Sequence, residues 1–259
     1  MKVVILAGGK GTRISEESKS RPKPMVEIAG KPILWHIMKI YSEYQYHDFI
    51  VCCGYKGRMI KDYFTKYYRY QTDATFDLKN EGMKTHSSKV EPWRITLADT
   101  GENTLTAGRI LKIRDYIGDD QEFMLTYGDG VGNVNLDELL AYHRQQGKIA
   151  TITTTQPEGR FGGLKLSQEG LVEGFKEKAR KDQSWINIGY MVLNREIFDY
   201  LGDGSEMLEA GPFEHLAEEG QMAAYKHDGF WAPMDTVHDR EYLESLWESG
   251  KAPWKTWIE

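Results

Sequence analysis

Lys2-Val-Val-Ile-Leu-Ala-Gly-Gly-Lys-Gly-Thr-Arg13 is the stretch on which the fold turns. Lys2 to Leu6 is a short β-branched run, the composition of a buried strand, and it stops at Gly8-Gly9. Closely spaced glycines after a strand let backbone N–H groups approach phosphate oxygens with no Cβ in the way. Two familiar phosphate loops are excluded by counting. A dinucleotide fingerprint begun at Gly9 has Gly11 but needs a third glycine where Ile14 stands. A P-loop needs Gly-Lys followed by Ser or Thr, whereas the pairs at 9, 30, 147 and 250 are followed by Gly11, Pro32, Ile149 and Ala252. The plain alternative is a tight turn.

Charge favours the phosphate reading. From Lys10 to Lys23 five basic residues (Lys10, Arg13, Lys19, Arg21, Lys23) face two acids (Glu16, Glu17), inside a chain of net charge −6. Pro22 and Pro24 flank Lys23 and are expected to hold its backbone extended, which limits where the ammonium goes. A positioned Arg and Lys beside a backbone cradle suit a triphosphate.

Further along, apolar runs alternate with segments of helical period, the signature of a largely parallel sheet covered by helices. Strands are predicted at Phe49 to Cys53, Arg94 to Ala98, Phe123 to Tyr127, Ile149 to Thr155, Ile188 to Leu193 and Met222 to Lys226. Helices are predicted from Pro32, over Met59 to Tyr68, Ala107 to Tyr116, Leu136 to Gln146 with Asn135 as cap, and His238 to Glu248; Asn194 is expected to cap a short one. Gly162 to Phe175 reads as a hairpin. One domain over 1–259 is expected, with an inserted hairpin or loop at about 72–93 and a C-terminal helix and tail at about 236–259.

Two acids complete the pattern. Asp129 stands between glycines in Tyr127-Gly-Asp-Gly130, and Asp235 closes Phe230-Trp-Ala-Pro-Met-Asp235. Taken singly, each has a plain reading: an Asx turn for Asp129, helix capping by Asp235 or Thr236. Taken together, two strand-end carboxylates beside a phosphate loop meet the needs of Mg²⁺, which fills its other positions with water and phosphate oxygens.

Composition sets the limits. The chain has 259 residues, 40% hydrophobic and 28% charged, which fits a folded globular protein. Acids outnumber bases, 39 to 33, which argues against a general nucleic-acid binder. No run is long enough for a membrane-spanning helix, and the apolar stretch after Met1 is too short for a signal peptide, so a cytoplasmic protein is expected. Cys52 and Cys53 are adjacent and suit neither a disulfide staple nor a zinc site.

These residues, in this order, resemble the sugar-1-phosphate nucleotidyltransferases. The opening Gly-Gly-x-Gly-Thr-Arg loop, Arg21-Pro-Lys-Pro-Met-Val-Glu-Ile28, Tyr127-Gly-Asp-Gly-Val131, Gly159-Arg-Phe-Gly162 and Gly229-Phe-Trp-Ala-Pro-Met-Asp-Thr236 carry the likeness. It implies an α/β, three-layer, Rossmann-like nucleotidyltransferase fold whose mixed, mostly parallel central sheet is flanked by helices. It also implies transfer of CMP from CTP to α-D-glucose 1-phosphate, with Mg²⁺ as cofactor and a homo-oligomer, a hexamer being one arrangement. Leu6, Ala7, Gly8, Gly9, Lys10, Gly11, Thr12, Arg13, Lys23, Thr104, Arg109 and Gly128 would bind the nucleotide. Gly162, Glu177, Lys178 and Asn187 would hold the sugar phosphate, Asp129 and Asp235 the metal. Arg13, Lys23 and Asp129 would act in catalysis. The family's usual Glu-Lys-Pro is Glu177-Lys178-Ala179 here. The residues themselves leave UTP or dTTP open as the nucleotide, and a non-catalytic nucleotide or sugar-phosphate sensor as the other function class.

Overall fold

The computed structural model describes residues 1–11, 20–88, 90–156, 163–166, 172–176 and 184–257. In chain order the elements are β1 (Val3–Ala7), β2 (Glu27–Ile28), β3 (Lys31–Pro32), α1 (Ile33–Glu43), β4 (Asp48–Cys53), α2 (Gly57–Tyr70), β5 (Thr72–Asp77), β6 (Gly82–Ser88) and β7 (Arg94–Asp99). There follow α3 (Thr106–Lys112), α4 (Arg114–Ile117), β8 (Glu122–Tyr127), β9 (Gly130–Gly132), α5 (Leu136–Gln146), β10 (Ala150–Thr155), β11 (Gly163–Leu166), β12 (Val172–Lys176) and β13 (Ile186–Asn194). Last come α6 (Pro212–Glu218), β14 (Met222–Lys226), β15 (Trp231–Pro233) and α7 (Val237–Glu248).

A seven-stranded sheet in the order β14-β10-β13-β8-β1-β4-β7 forms the middle layer. β1 runs parallel to β4 and β8, β4 to β7, and β10 to β14; β13 alone is antiparallel to its neighbours β8 and β10. Strand alternation sorts side chains between two cores. Val3, Ile5 and Ala7, with Phe49 and Val51, pack on the face covered by α1, α5 and α7. Val4 and Leu6, with Ile50, Cys52 and Leu125, pack on the face covered by α3, α4 and α6. Both faces are therefore covered, which is why β1 reads as an unbroken apolar run.

Several expectations shift in detail. The single helix expected over Ala107 to Tyr116 is broken at Ile113, whose N–H bonds Ile110 O at 3.1 Å. That tighter turn lets Ile110, Ile113 and Ile117 all bury. Asn194 does not cap the short 3₁₀ helix after it. Its amide donates to Lys148 O and its carbonyl meets buried His143 instead. Asn135 does cap α5, accepting from Glu138 N–H at 3.1 Å. α6 and the short strands β9 and β15 have no counterpart in the sequence reading, each being too short to set up a period.

Candidate active site

The path of the chain locates the site. From β1 it moves to β4 and then β7 on one side, and afterwards returns to place β8 on the other side of β1. The carboxyl ends of β1 and β8 thus flank a switch in strand order, where open α/β sheets form ligand crevices. A cleft of about 490 Å³ opens there, lined by Leu6, Ala7, Gly8, Gly9 and Gly11 at and beyond the end of β1, by Tyr127, Gly128 and Asp129 at and beyond the end of β8, and by Lys23 and Asp235.

The two aspartates are brought together by a small antiparallel ribbon. β9 and β15 pair with Gly132 opposite Trp231, Val131 opposite Ala232 and Gly130 opposite Pro233. Asp129 precedes one strand and Asp235 follows the other, so both carboxylates leave the same end; Met234 N–H on Asp129 O at 2.8 Å closes it. Helix capping does not consume Asp235. Thr236 accepts from Asp239 N–H and the Asp239 carboxylate returns to Thr236 N–H, a capping box that starts α7 one residue later.

Lys23 faces both acids. Its Nζ lies 2.7 Å from Asp129 Oδ2 and 2.5 Å from Asp235 Oδ1, joining residues 106 and 212 positions away. Burial works against the charged ammonium, but the two carboxylates outweigh it and hold its pKa above the ordinary lysine range. Contrary to the expectation of an extended backbone, Lys23 opens a 3₁₀ turn, with Met25 N–H on Pro22 O and Val26 N–H on Lys23 O. Neither proline is asked to donate in that turn, so the prolines tolerate it.

Arg109 is buried, and its guanidinium is spent on the protein itself. Nη1 donates to Thr100 Oγ1 at 2.6 Å and Gly101 O at 2.8 Å, and Nη2 to Gly8 O at 3.0 Å. A Cβ on Gly8 would stand 2.1 Å from Nη1, so only glycine lets the loop lie against this arginine. Arg109 and Thr104 line the cleft, as does Gly128, while Lys10 is exposed and off the lining. Asn187 is also off the lining, its Oδ1 accepting from Gly189 N–H at 2.9 Å. Thr12, Arg13, Gly162, Glu177 and Lys178 lie outside the described residues. Thr106, at the start of α3, and Met207, in the loop before α6, line the cleft without having been singled out in the sequence.

Two hard carboxylate oxygens and no third acidic, histidine or cysteine partner among the described residues form a donor set suited to Mg²⁺, with water and phosphate completing it. Lys23 balances one of the two negative charges.

Comparison with known proteins gives the family. The nucleotidyl transferase family model matches residues 2–245. A glucose-1-phosphate cytidylyltransferase of Salmonella typhi is 51% identical over 257 residues, covering 99% of this chain and 100% of that protein. A probable glucose-1-phosphate cytidylyltransferase of Bacillus subtilis is 46% identical over 258 residues, with coverage of 99% and 100%. Among solved structures, HddC from Yersinia pseudotuberculosis complexed with GMP-PN superposes with a TM-score of 0.67 at 22% identity, covering 95% of this chain and 99% of that one. That last likeness concerns the fold. The chain belongs to the nucleotidyl transferase family.

Proposed function

We propose that this chain is a glucose-1-phosphate cytidylyltransferase, joining CTP and α-D-glucose 1-phosphate to give CDP-glucose and pyrophosphate. The choice of substrates follows the names of relatives that match it from end to end at about half identity. The observation that carries the chemistry is the single ammonium of Lys23 held between Asp129 and Asp235 at the mouth of a glycine-walled cleft.

In this reading a phosphate oxygen of the sugar phosphate attacks the α-phosphorus of the nucleotide in line. The new P–O bond forms as the bond to the β-phosphate oxygen breaks, and pyrophosphate leaves with that electron pair. The glycine wall offers backbone N–H groups to the nucleotide without side-chain bulk. Lys23 would donate to the α-phosphate, where negative charge gathers as the transfer proceeds. Asp129 and Asp235 would hold Mg²⁺, which supplies charge neutralisation for the phosphate oxygens. Arg13 would meet the departing pyrophosphate, and Glu177, Lys178, Gly162 and Asn187 the sugar phosphate, as the family resemblance implies. Transfer needs no covalent intermediate on the protein, and the buried thiols of Cys52 and Cys53, pushed up to about 12 and about 11 by burial, are poor nucleophiles.

We further read the chain as a homo-oligomer in which the β5–β6 hairpin meets a second copy, since Phe76, Leu78 and Met83 stand exposed on it. Pyrophosphate release from glucose 1-phosphate with each of CTP, UTP, dTTP and ATP tests the function. CTP is expected to be used at least about tenfold better than the others. Release with none of the four would overturn the enzyme reading, and a different preferred base would overturn the substrate.

A further inference from the structure

Tyr127 ends β8, two residues before Asp129, and forms part of the cleft wall. Its ring lies across the bare backbone of Gly189: a Cβ there would stand 2.4 Å from the Tyr127 ring. The ring is therefore supported from β13, but its hydroxyl end needs a separate anchor. That anchor is Glu209, whose Oε1 accepts a hydrogen bond from the Tyr127 hydroxyl. Glu209 Oε2 accepts from Thr106 Oγ1 at 3.0 Å, and Thr106 Oγ1 accepts in turn from Leu208 N–H at 2.6 Å. One carboxylate, itself off the cleft lining, thus holds two lining residues from behind.

The chemistry of that carboxylate is specific. Among the described residues it pairs with no cation; it serves two hydroxyl donors. The two hydroxyls donate to different oxygens, Oε1 and Oε2, and only a carboxylate offers an acceptor on each arm, where an amide has a donor on one. The cleft must also admit polyanionic substrates, so a negative charge behind its wall needs a structural reason to be there.

The two walls do not depend on Glu209 equally. Thr106 is also held by Leu208 N–H, and its helix by the contact of Gly108 with Gly204, where a Cβ on Gly108 would meet Gly204 O at 2.5 Å. Among the described residues the Tyr127 hydroxyl has only Glu209 and the neighbouring Asn187 side chain. Loss of Glu209 therefore falls on Tyr127 and on the side of the cleft towards Asn187. Building on the function proposed above, we infer that Glu209 is a positioning residue that holds Tyr127 as the sugar-phosphate-side wall of the cleft and so sets affinity for glucose 1-phosphate rather than for the nucleotide.

Steady-state kinetics of E209Q, Y127F and the double variant, varying each substrate in turn with Mg²⁺ present, test this. E209Q and Y127F are each expected to raise KM for glucose 1-phosphate about tenfold, with KM for CTP within about twofold of wild type. The double variant should be no worse than about twofold beyond the weaker single, since both remove one interaction. A merely structural role would raise both KM values together. That outcome, an unchanged KM for glucose 1-phosphate in both singles, or additive losses in the double would overturn the inference. Wild-type protein that releases no pyrophosphate would instead overturn the function on which it rests, and the inference with it.

Discussion

Lys23 is held by ion pairs whose partners are the acids assigned to the metal, so its replacement has two separable consequences. Lys23→Met removes the ammonium that would meet the α-phosphate, and turnover is expected to fall at least about hundredfold. It also takes away the ammonium that Asp129 and Asp235 share. Mg²⁺ should then raise the thermal midpoint of Lys23→Met more than that of wild type, which differential scanning fluorimetry with and without the ion reads directly. An equal response in both proteins would remove Lys23 from the account of the metal site. Arg109 gives a contrasting case. Its fork is shared among Thr100, Gly101 and Gly8, and lysine cannot reproduce that geometry. Arg109→Lys is expected to lose about 3 kcal/mol in chemical denaturation, through buried carbonyls left without donors. At this scale Asp129 and Lys23 were legible in the sequence because glycines or prolines flank each at a predicted strand end or charged loop, and Asp235 because it follows an apolar stretch and precedes a predicted helix. Thr106, Met207 and Glu209 were not, because their placement depends on a glycine–glycine contact between distant segments.

Among the elements, the small β9–β15 ribbon does most to build the site, and it is the least visible beforehand. Three residues per strand are too few for alternation to register, yet their pairing fixes where both aspartates emerge. β1, and β4 beyond Asp48, were readable because they are buried on both faces and apolar throughout. The C-terminal tail offers a different test. Trp254 and Trp257 bury against α1, where His36 is fully enclosed with Trp35 and Trp247 beside it. His36 Nε2 donates to Ile28 O at 2.9 Å, leaving Nδ1 as the acceptor facing Trp254 Nε1 at 3.5 Å. Burial depresses the pKa of this imidazole from 6.5 to about 4. A folded value below the unfolded one means the stabilisation is complete above pH 6.5 and is lost as pH falls towards 4. The loss amounts to about 3 kcal/mol. Denaturant unfolding of wild type and His36→Phe at pH 7 and pH 4 should show the variant losing less by about that amount; equal losses would mean His36 is not the titrating group.

For the molecule as a whole, the order of strands decides where chemistry can occur. Had β8 followed β7 outward along the sheet, no switch would flank β1 and the glycine loop would have no facing wall. The alternating pattern made a covered parallel sheet legible, but not the order of its strands or the antiparallel β13, because pairing partners leave no local mark on the chain. Assembly belongs to this scale too. Light scattering coupled to size exclusion is expected to place wild type above the mass of one chain and to show Phe76→Ser/Leu78→Ser shifted towards it. A wild type at monomer mass would rule out the oligomer. The central claim, that Asp129 and Asp235 serve one divalent ion, is tested most directly by Mg²⁺-dependent pyrophosphate release from CTP and glucose 1-phosphate in Asp129→Asn, Asp235→Asn and the double variant. Each single is expected to lose at least about hundredfold in kcat/KM, and the double no more than a few-fold beyond the worse single. Full activity in either single variant, or losses that multiply in the double, would contradict a shared ion.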